Sequence, residues 1–203
     1  MRASALSVLF AVLVCMAHAE SLPAFYNVSG VAQDDVLNVR SAPDLSSRIL
    51  STLPHDATSI EVVARSPDDG WAQVNIGEQT GWISLAFLAR QAAQPDDTLP
   101  RPLACFGTEP FWSLKIPQDG PAEMARMDAE TVSIQTLDPV TSANQTDRYA
   151  VFGQSSERVF TFIFHRDQCF DQMSDRAYGM SVDIFMTEDS GVNYVTGCCN
   201  LIP

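Results

Sequence analysis

Cys105, Cys169, Cys198 and Cys199 are the side chains best able to do chemistry, and the adjacent pair in "YVTGCCNLIP" sets the question. Thiolates bind metals, attack carbonyls or oxidise to disulfides. His165 stands four residues before Cys169, so these two with Cys198 and Cys199 would supply a Cys₃His zinc set. The spacing opposes it. There is no Cys-x-x-Cys, and residues four apart share a face only on a helix, whereas "FTFIFH" alternates as a strand does. Neither a metal nor a cofactor is expected. No Gly-x-Ser-x-Gly, His-Glu-x-x-His or phosphate-binding glycine loop occurs. Glu109, Asp171 and Asp175 remain as acid-base candidates. Glu-Pro-Phe-Trp reads instead as a turn before a buried aromatic pair, and Met-Ser-Asp as a polar turn. No catalytic residue is assigned, and the chain is not expected to be an enzyme.

What the cysteines do depends on their compartment. Residues 1–19, "MRASALSVLFAVLVCMAHA", have a positive start at Arg2, an apolar run from Leu6 to Val14, and the small-x-small site Ala17-His18-Ala19. This predicts a cleaved signal peptide, a mature chain starting at Glu20, and a periplasmic or secreted location. Val14 before Cys15 argues against lipidation there, and no other stretch is long and apolar enough to cross a membrane.

In an oxidising compartment, four cysteines within about a hundred residues favour two disulfides. Neighbouring cysteines rarely bridge each other, so Cys198 and Cys199 are expected to share Cys105 and Cys169. Consecutive strand residues point to opposite faces, which lets the pair clamp two different neighbours. Cys105 with Cys199 and Cys169 with Cys198 is the preferred pairing, and the swap stays open.

The elements that carry these residues read as β throughout. "VLNVR", "RILSTL", "SIEVVA", "WAQVNI" and "GWISLAFL" are separated by the turn formers "SAPDLSS", "PHDAT", "SPDDG" and "GEQT". Further on, Phe160, Phe162 and Phe164 alternate with Val159, Thr161, Ile163 and His165, and Val182, Ile184 and Met186 repeat the pattern. "RQAAQPDDTLPRP" is polar with three prolines and reads as a semi-rigid linker. The expected architecture is all-β: residues 25–90 a small barrel, 91–102 a linker, and 103–203 a second, disulfide-stapled β domain.

"VLNVRSAPDLSSRILSTLP" followed by "DGWAQVNIGEQTGWISLAFL" resembles the bacterial SH3-like (SH3b) domain, with an L-N-V-R-S-x-P opening, a G-W-x-x-V and a closing G-W-I-x-x-x-x-L. One departure is "LPHDATSIEVV", where His55 and Asp56 replace the family's usual turn glycine. The resemblance implies a strongly bent barrel and, in many members, binding of cell-wall peptide or peptidoglycan. "CFGTEPFWSLKI", "DQCFDQMSD" and "GCC" are similar to motifs of an uncharacterised bacterial envelope family, which implies an envelope setting and no reaction.

Strand parity selects the candidate ligand residues. Ala72, Val74 and Ile76 share one face of their strand, leaving Trp71, Gln73 and Asn75 on the other. Asn38 and Arg40 likewise oppose Leu37 and Val39. Asn38, Arg40, Trp71 and Trp82 are therefore the candidate ligand-binding set, with Trp71 as a flat apolar surface and the polar pair as hydrogen-bond donors to a peptide or its carboxylate. Rim packing is the competing role for Trp82.

Charge narrows the partners. The chain has 12 basic and 25 acidic residues, a net charge of −13, and loss of Arg2 with the leader makes it 11 against 25, or −14. Such a surface repels phosphate backbones, so nucleic acid is not expected as a partner, nor is membrane insertion. The expected function is a non-catalytic binding protein for cell-wall peptide or peptidoglycan. An alternative is an acidic inhibitor or accessory factor of a basic envelope hydrolase, and a further one an enzyme using C-terminal carboxylates.

Overall fold

A computed structural model describes residues 21–92, 97–127, 129–189 and 191–203. The leader, its cleavage site and part of the expected linker, 93–96, lie outside the described residues.

The first module contains β1 (Ala24–Val28), β2 (Val36–Arg40), β3 (Ile49–Pro54), β4 (Ile60–Val62), β5 (Ala64–Arg65), β6 (Trp71–Ile76), β7 (Gln79–Ser84) and β8 (Leu88–Arg90). They form two antiparallel sheets, β4-β1-β8 and β3-β2-β7-β6-β5. Leu37 and Val39 from β2, Ala72 and Val74 from β6, and Ile83 from β7 close the core between the sheets. Gly77 takes φ 57° in the tight β6–β7 hairpin, a conformation open to glycine because it lacks Cβ. The turn at His55 and Asp56 needs no glycine. Ala57 N–H donates to Pro54 C=O at 3.1 Å, and neither turn residue has positive φ.

The second module contains β9 (Leu103–Thr108), β10 (Phe111–Ile116), β11 (Ala122–Arg126), β12 (Val132–Thr136), β13 (Val140–Thr141), β14 (Arg148–Gln154), β15 (Val159–His165), β16 (Met180–Glu188) and β17 (Gly191–Leu201). Their order is β12-β11-β10-β9-β17-β16-β15-β14-β13, and β12 also pairs with β14. The ring therefore closes through all but β13, giving an antiparallel barrel with no open edge between β12 and β14. Period-two alternation fills it: Trp112, Leu114 and Ile116, Phe160, Phe162 and Phe164, and Val182, Ile184 and Met186 all point inward. Phe111, by contrast, is exposed, so only Trp112 of the expected aromatic pair is buried.

The cysteines occupy both walls of β17. Cys199 faces inward and joins Cys105 on β9, its direct cross-strand partner. Cys198 joins Cys169 outside β17, in the 166–179 loop between β15 and β16. One bond thus ties two barrel strands from within, and the other pins a long loop to the wall.

That loop docks the modules together, which no motif foretold. Asn75 Nδ2 donates to Ala177 C=O at 2.7 Å, and Ala177 N–H returns a bond to Asn75 Oδ1 at 3.1 Å. Gln168 Nε2 donates to Gln73 Oε1 at 2.8 Å. Thr80 N–H donates to Asp175 C=O and Asp175 N–H to Glu78 C=O, each at 3.0 Å. Phe25 of β1 packs against the barrel core. The linker expectation is corrected accordingly. Leu99 is buried in the barrel core, Arg166 donates to Thr98 C=O at 3.0 Å, and Gln91 N–H to Phe25 C=O at 2.9 Å. An apolar side chain anchored in this way makes the described parts of 91–102 extensions of the modules rather than a spacer.

Glu61 sits at this junction, its Oε1 accepting Leu201 N–H at 2.9 Å. Desolvation pushes its pKa up to about 7, against the opposing pull of that bond and of Arg176. The folded pKa lies above the unfolded 4.5, so the native state holds this proton longer. Stability from this group is therefore complete below pH 4.5, falls between 4.5 and 7, and stays reduced above, by at most roughly 3 kcal/mol. Glu61→Gln keeps the acceptor and removes the charge. Thermal melts at pH 5 and pH 8 are expected to show the variant more stable than the parent at pH 8 and equal to it near pH 5. An unchanged difference between the two pH values would refute the assignment.

Candidate functional site

Parity holds on the first module's outer face, but that face is divided. Register places Trp71 opposite Ser84, and Trp82 opposite both Gln73 and Arg40. The Gln73–Asn75 end is covered by the 166–179 loop. The other end opens into a groove of about 400 Å³ that includes Asn38, Arg40, Trp71 and Ser84, with Leu45 and Phe87 at its rim.

Three of the four candidate residues thus line one groove. Trp82 does not; it fills the row between Arg40 and Gln73, the competing packing role. Trp71 is also corrected. It is only 9 % exposed, so it offers the groove little apolar surface. Its N–H donates to Ser66 Oγ at 3.0 Å, fixing the start of β6. Arg40 Nη1 donates to Ser47 C=O at 2.8 Å, which orders the 41–48 loop beside the groove. Within that loop Asp44 accepts from the Ser46 hydroxyl and N–H, and these bonds hold its carboxyl below the usual range.

The exposed apolar surface comes from residues the parity argument missed. Leu45 is 75 % and Phe87 41 % exposed. Both carried a signal. Leu45 is an aliphatic residue inside the turn tract "SAPDLSS", and Phe87 lies in "GWISLAFL" between β7 and β8, where alternation breaks into a 3-10 turn. The groove joins an apolar rim to an amide and a guanidinium, suited to a peptide with a small side chain and a carboxylate.

Of the three candidate carboxylates in the second module, that of Asp171 is occupied structurally. Asp171 Oδ1 accepts from Met173 and Ser174 N–H, while Oδ2 accepts from Ser174 Oγ and Tyr178 Oη at 2.9 and 3.3 Å. Although burial opposes it, this set of bonds draws the Asp171 pKa below the ordinary carboxylate range. Asp175 contributes its backbone to docking, and Glu109 lies in the exposed β9–β10 turn. All three sulfurs of the zinc alternative are oxidised, so the thiolates such a site needs are not present. His165 instead contacts Arg148 and reaches Asp183 at 3.3 Å.

The family model for the bacterial SH3 domain matches residues 35–89. The N-terminal module is a bacterial SH3 domain, and the match spans β2 to β8. β1, which pairs with β4 and β8, lies before it. No curated protein and no solved structure matches the chain.

Proposed function

We propose that this chain is an extracytoplasmic, non-catalytic binding protein whose SH3 module holds cell-wall peptide or peptidoglycan. The observation that carries this reading is the groove of Asn38, Arg40, Leu45, Trp71 and Phe87 on a bacterial SH3 domain. Arg40 and Asn38 engage the peptide's carboxylate and amides, and the Leu45–Phe87 rim covers its short apolar side chains. The leader-like residues 1–19 and the two disulfides support a location outside the cytoplasm. The barrel holds the module in a fixed orientation through the 166–179 loop.

Sedimentation of the full chain with purified peptidoglycan tests the reading. Leu45→Ser and Phe87→Ser alter exposed side chains, so both variants are expected to fold. Their retention is expected to fall roughly tenfold together, the size of losing two partly buried apolar contacts. Retention equal to the parent chain would place the wall contact elsewhere, and no retention by the parent would remove the wall-binding role.

A further inference from the structure

The three C-terminal sequence motifs meet on the barrel's outer wall, around a groove of about 440 Å³. The 106–108 end of β9 and Glu109 of the turn after it form one side. The disulfide-pinned loop forms the other with Phe170 and Met173, both well exposed, and the floor is β16 and β17. Glu109, Asp171 and Asp183 line it, and no lysine, arginine or histidine does among the described residues; His165, outside the lining, stands 3.3 Å from Asp183.

The groove opens onto an aromatic surface. Register sets Phe152, Thr161, Phe185 and Tyr194 in one row across β14 to β17. This row faces outward, since the alternate positions Val151, Phe162, Ile184 and Val195 serve the core. Phe185 and Tyr194 stack at 4.7 Å between ring centroids while exposed, and Tyr194 Oη donates to Asp183 Oδ1 at 2.8 Å. The neighbouring row carries Asp183 and Thr196 into the groove itself. Nothing in the barrel's own packing requires stacked aromatics on its outer wall, and contiguous exposed apolar surface of this kind marks interaction sites.

We propose that this groove and the Phe185–Tyr194 pair form a docking surface for an extended segment of a partner protein that carries arginine or lysine beside apolar residues. The guanidinium or ammonium group meets Glu109 and Asp183 and lies against the electron-rich ring faces. Phe170 and the flexible Met173 take the intervening apolar side chains. Charge selects this occupant over others. Phosphates and anionic lipids are repelled by a groove without a basic residue on a chain of net charge −13. A second copy of the chain would set carboxylates against carboxylates. A neutral glycan would use the rings but leave Glu109 without a charged partner. The surface lies on the barrel, so it stands or falls separately from the SH3 groove.

The test titrates the oxidised full chain with a short capped peptide alternating arginine and leucine, read by calorimetry and by backbone amide shifts. Binding is expected to shift amides of residues 106–109, 169–173 and 194–196. Phe185→Ser and Glu109→Gln are each expected to weaken it roughly tenfold, as for loss of a central aromatic or charged contact. Asp119→Asn, at the opposite end of β10 from Glu109, is expected to change nothing, which separates this surface from general acidity. Glu109 lies in an exposed turn, so its variant keeps the test valid should Phe185→Ser not fold. Equal affinity in parent and Glu109→Gln overturns the proposal. So does tighter binding of chitotetraose at the same amides, or a dimer of the chain that Phe185→Ser dissolves.

Discussion

Replacing Cys105 and Cys199 together by alanine is expected to destabilise the barrel by about 4 to 5 kcal/mol, the largest single loss among the changes considered. The bond closes a loop with a sequence separation of 94, which the chain-entropy treatment values near that figure. Both cysteines are buried in the core, so removal of their sulfurs also leaves a small cavity there. The Cys169–Cys198 bond closes a separation of only 29 and is worth about 3 to 4 kcal/mol on the same basis. Its loss carries a second consequence, because the 166–179 loop that it pins also holds the SH3 module through Ala177 and Asp175. Urea unfolding followed by Trp112 fluorescence, in a chain whose Trp71 and Trp82 are replaced by phenylalanine, reports the barrel alone. A larger midpoint loss for the Cys105/Cys199 pair is expected. Equal midpoints for parent and both double variants would mean that neither bond staples the barrel.

Gly197→Ala is expected to cost roughly 3 kcal/mol or more, although it adds one methyl group to a strand. The new Cβ would lie 2.1 Å from the carbonyl oxygen of Phe106 on β9 and 2.6 Å from the Trp112 ring. Ordinary overpacking costs about 1 to 3 kcal/mol because side chains yield. Here the nearest obstacle is backbone of the paired strand, which cannot turn aside. Gly107 meets the same indole from β9, where a Cβ would fall 2.2 Å from Trp112 Nε1. The two glycines therefore form the seat of Trp112, next to both disulfides. Trp112→Leu in the Gly197→Ala background relieves the ring contact but not the contact with Phe106. It is expected to recover only part of the loss in thermal melts. Full recovery would show that the indole alone sets the limit.

Much of this was legible in the sequence because it rests on period two. The alternation of Phe160, Phe162 and Phe164 with Val159, Thr161, Ile163 and His165 has the period of a strand with one inward and one outward face, and the barrel uses them so. The same rule applied to Cys198 and Cys199 gives one bond inside and one outside. The SH3 module was readable because "LNVRS", "DGWAQV" and "GWISLAFL" recur in order at suitable spacing. Three things were not legible. Parity says that Trp71, Gln73 and Asn75 share a face but not what covers it, and Gln168 and Ala177, about a hundred residues away, cover two of them. Leu99 looked like linker because a single apolar residue among prolines has no period to announce burial. Barrel closure depends on Gln135 and Thr136 meeting Gln154 and Gly153, a pairing between distant edges that local pattern does not encode.

Titrating the isotope-labelled full chain with a soluble peptidoglycan fragment that retains its stem peptide tests the wall-binding role of the SH3 groove most directly. Amide shifts are expected at Val36–Arg40, Leu45, Trp71, Ser84 and Phe87, saturating together, and they should be lost in Arg40→Ala. Absence of shifts at saturating fragment, or shifts confined to the barrel around Phe170 and Tyr194, would contradict it.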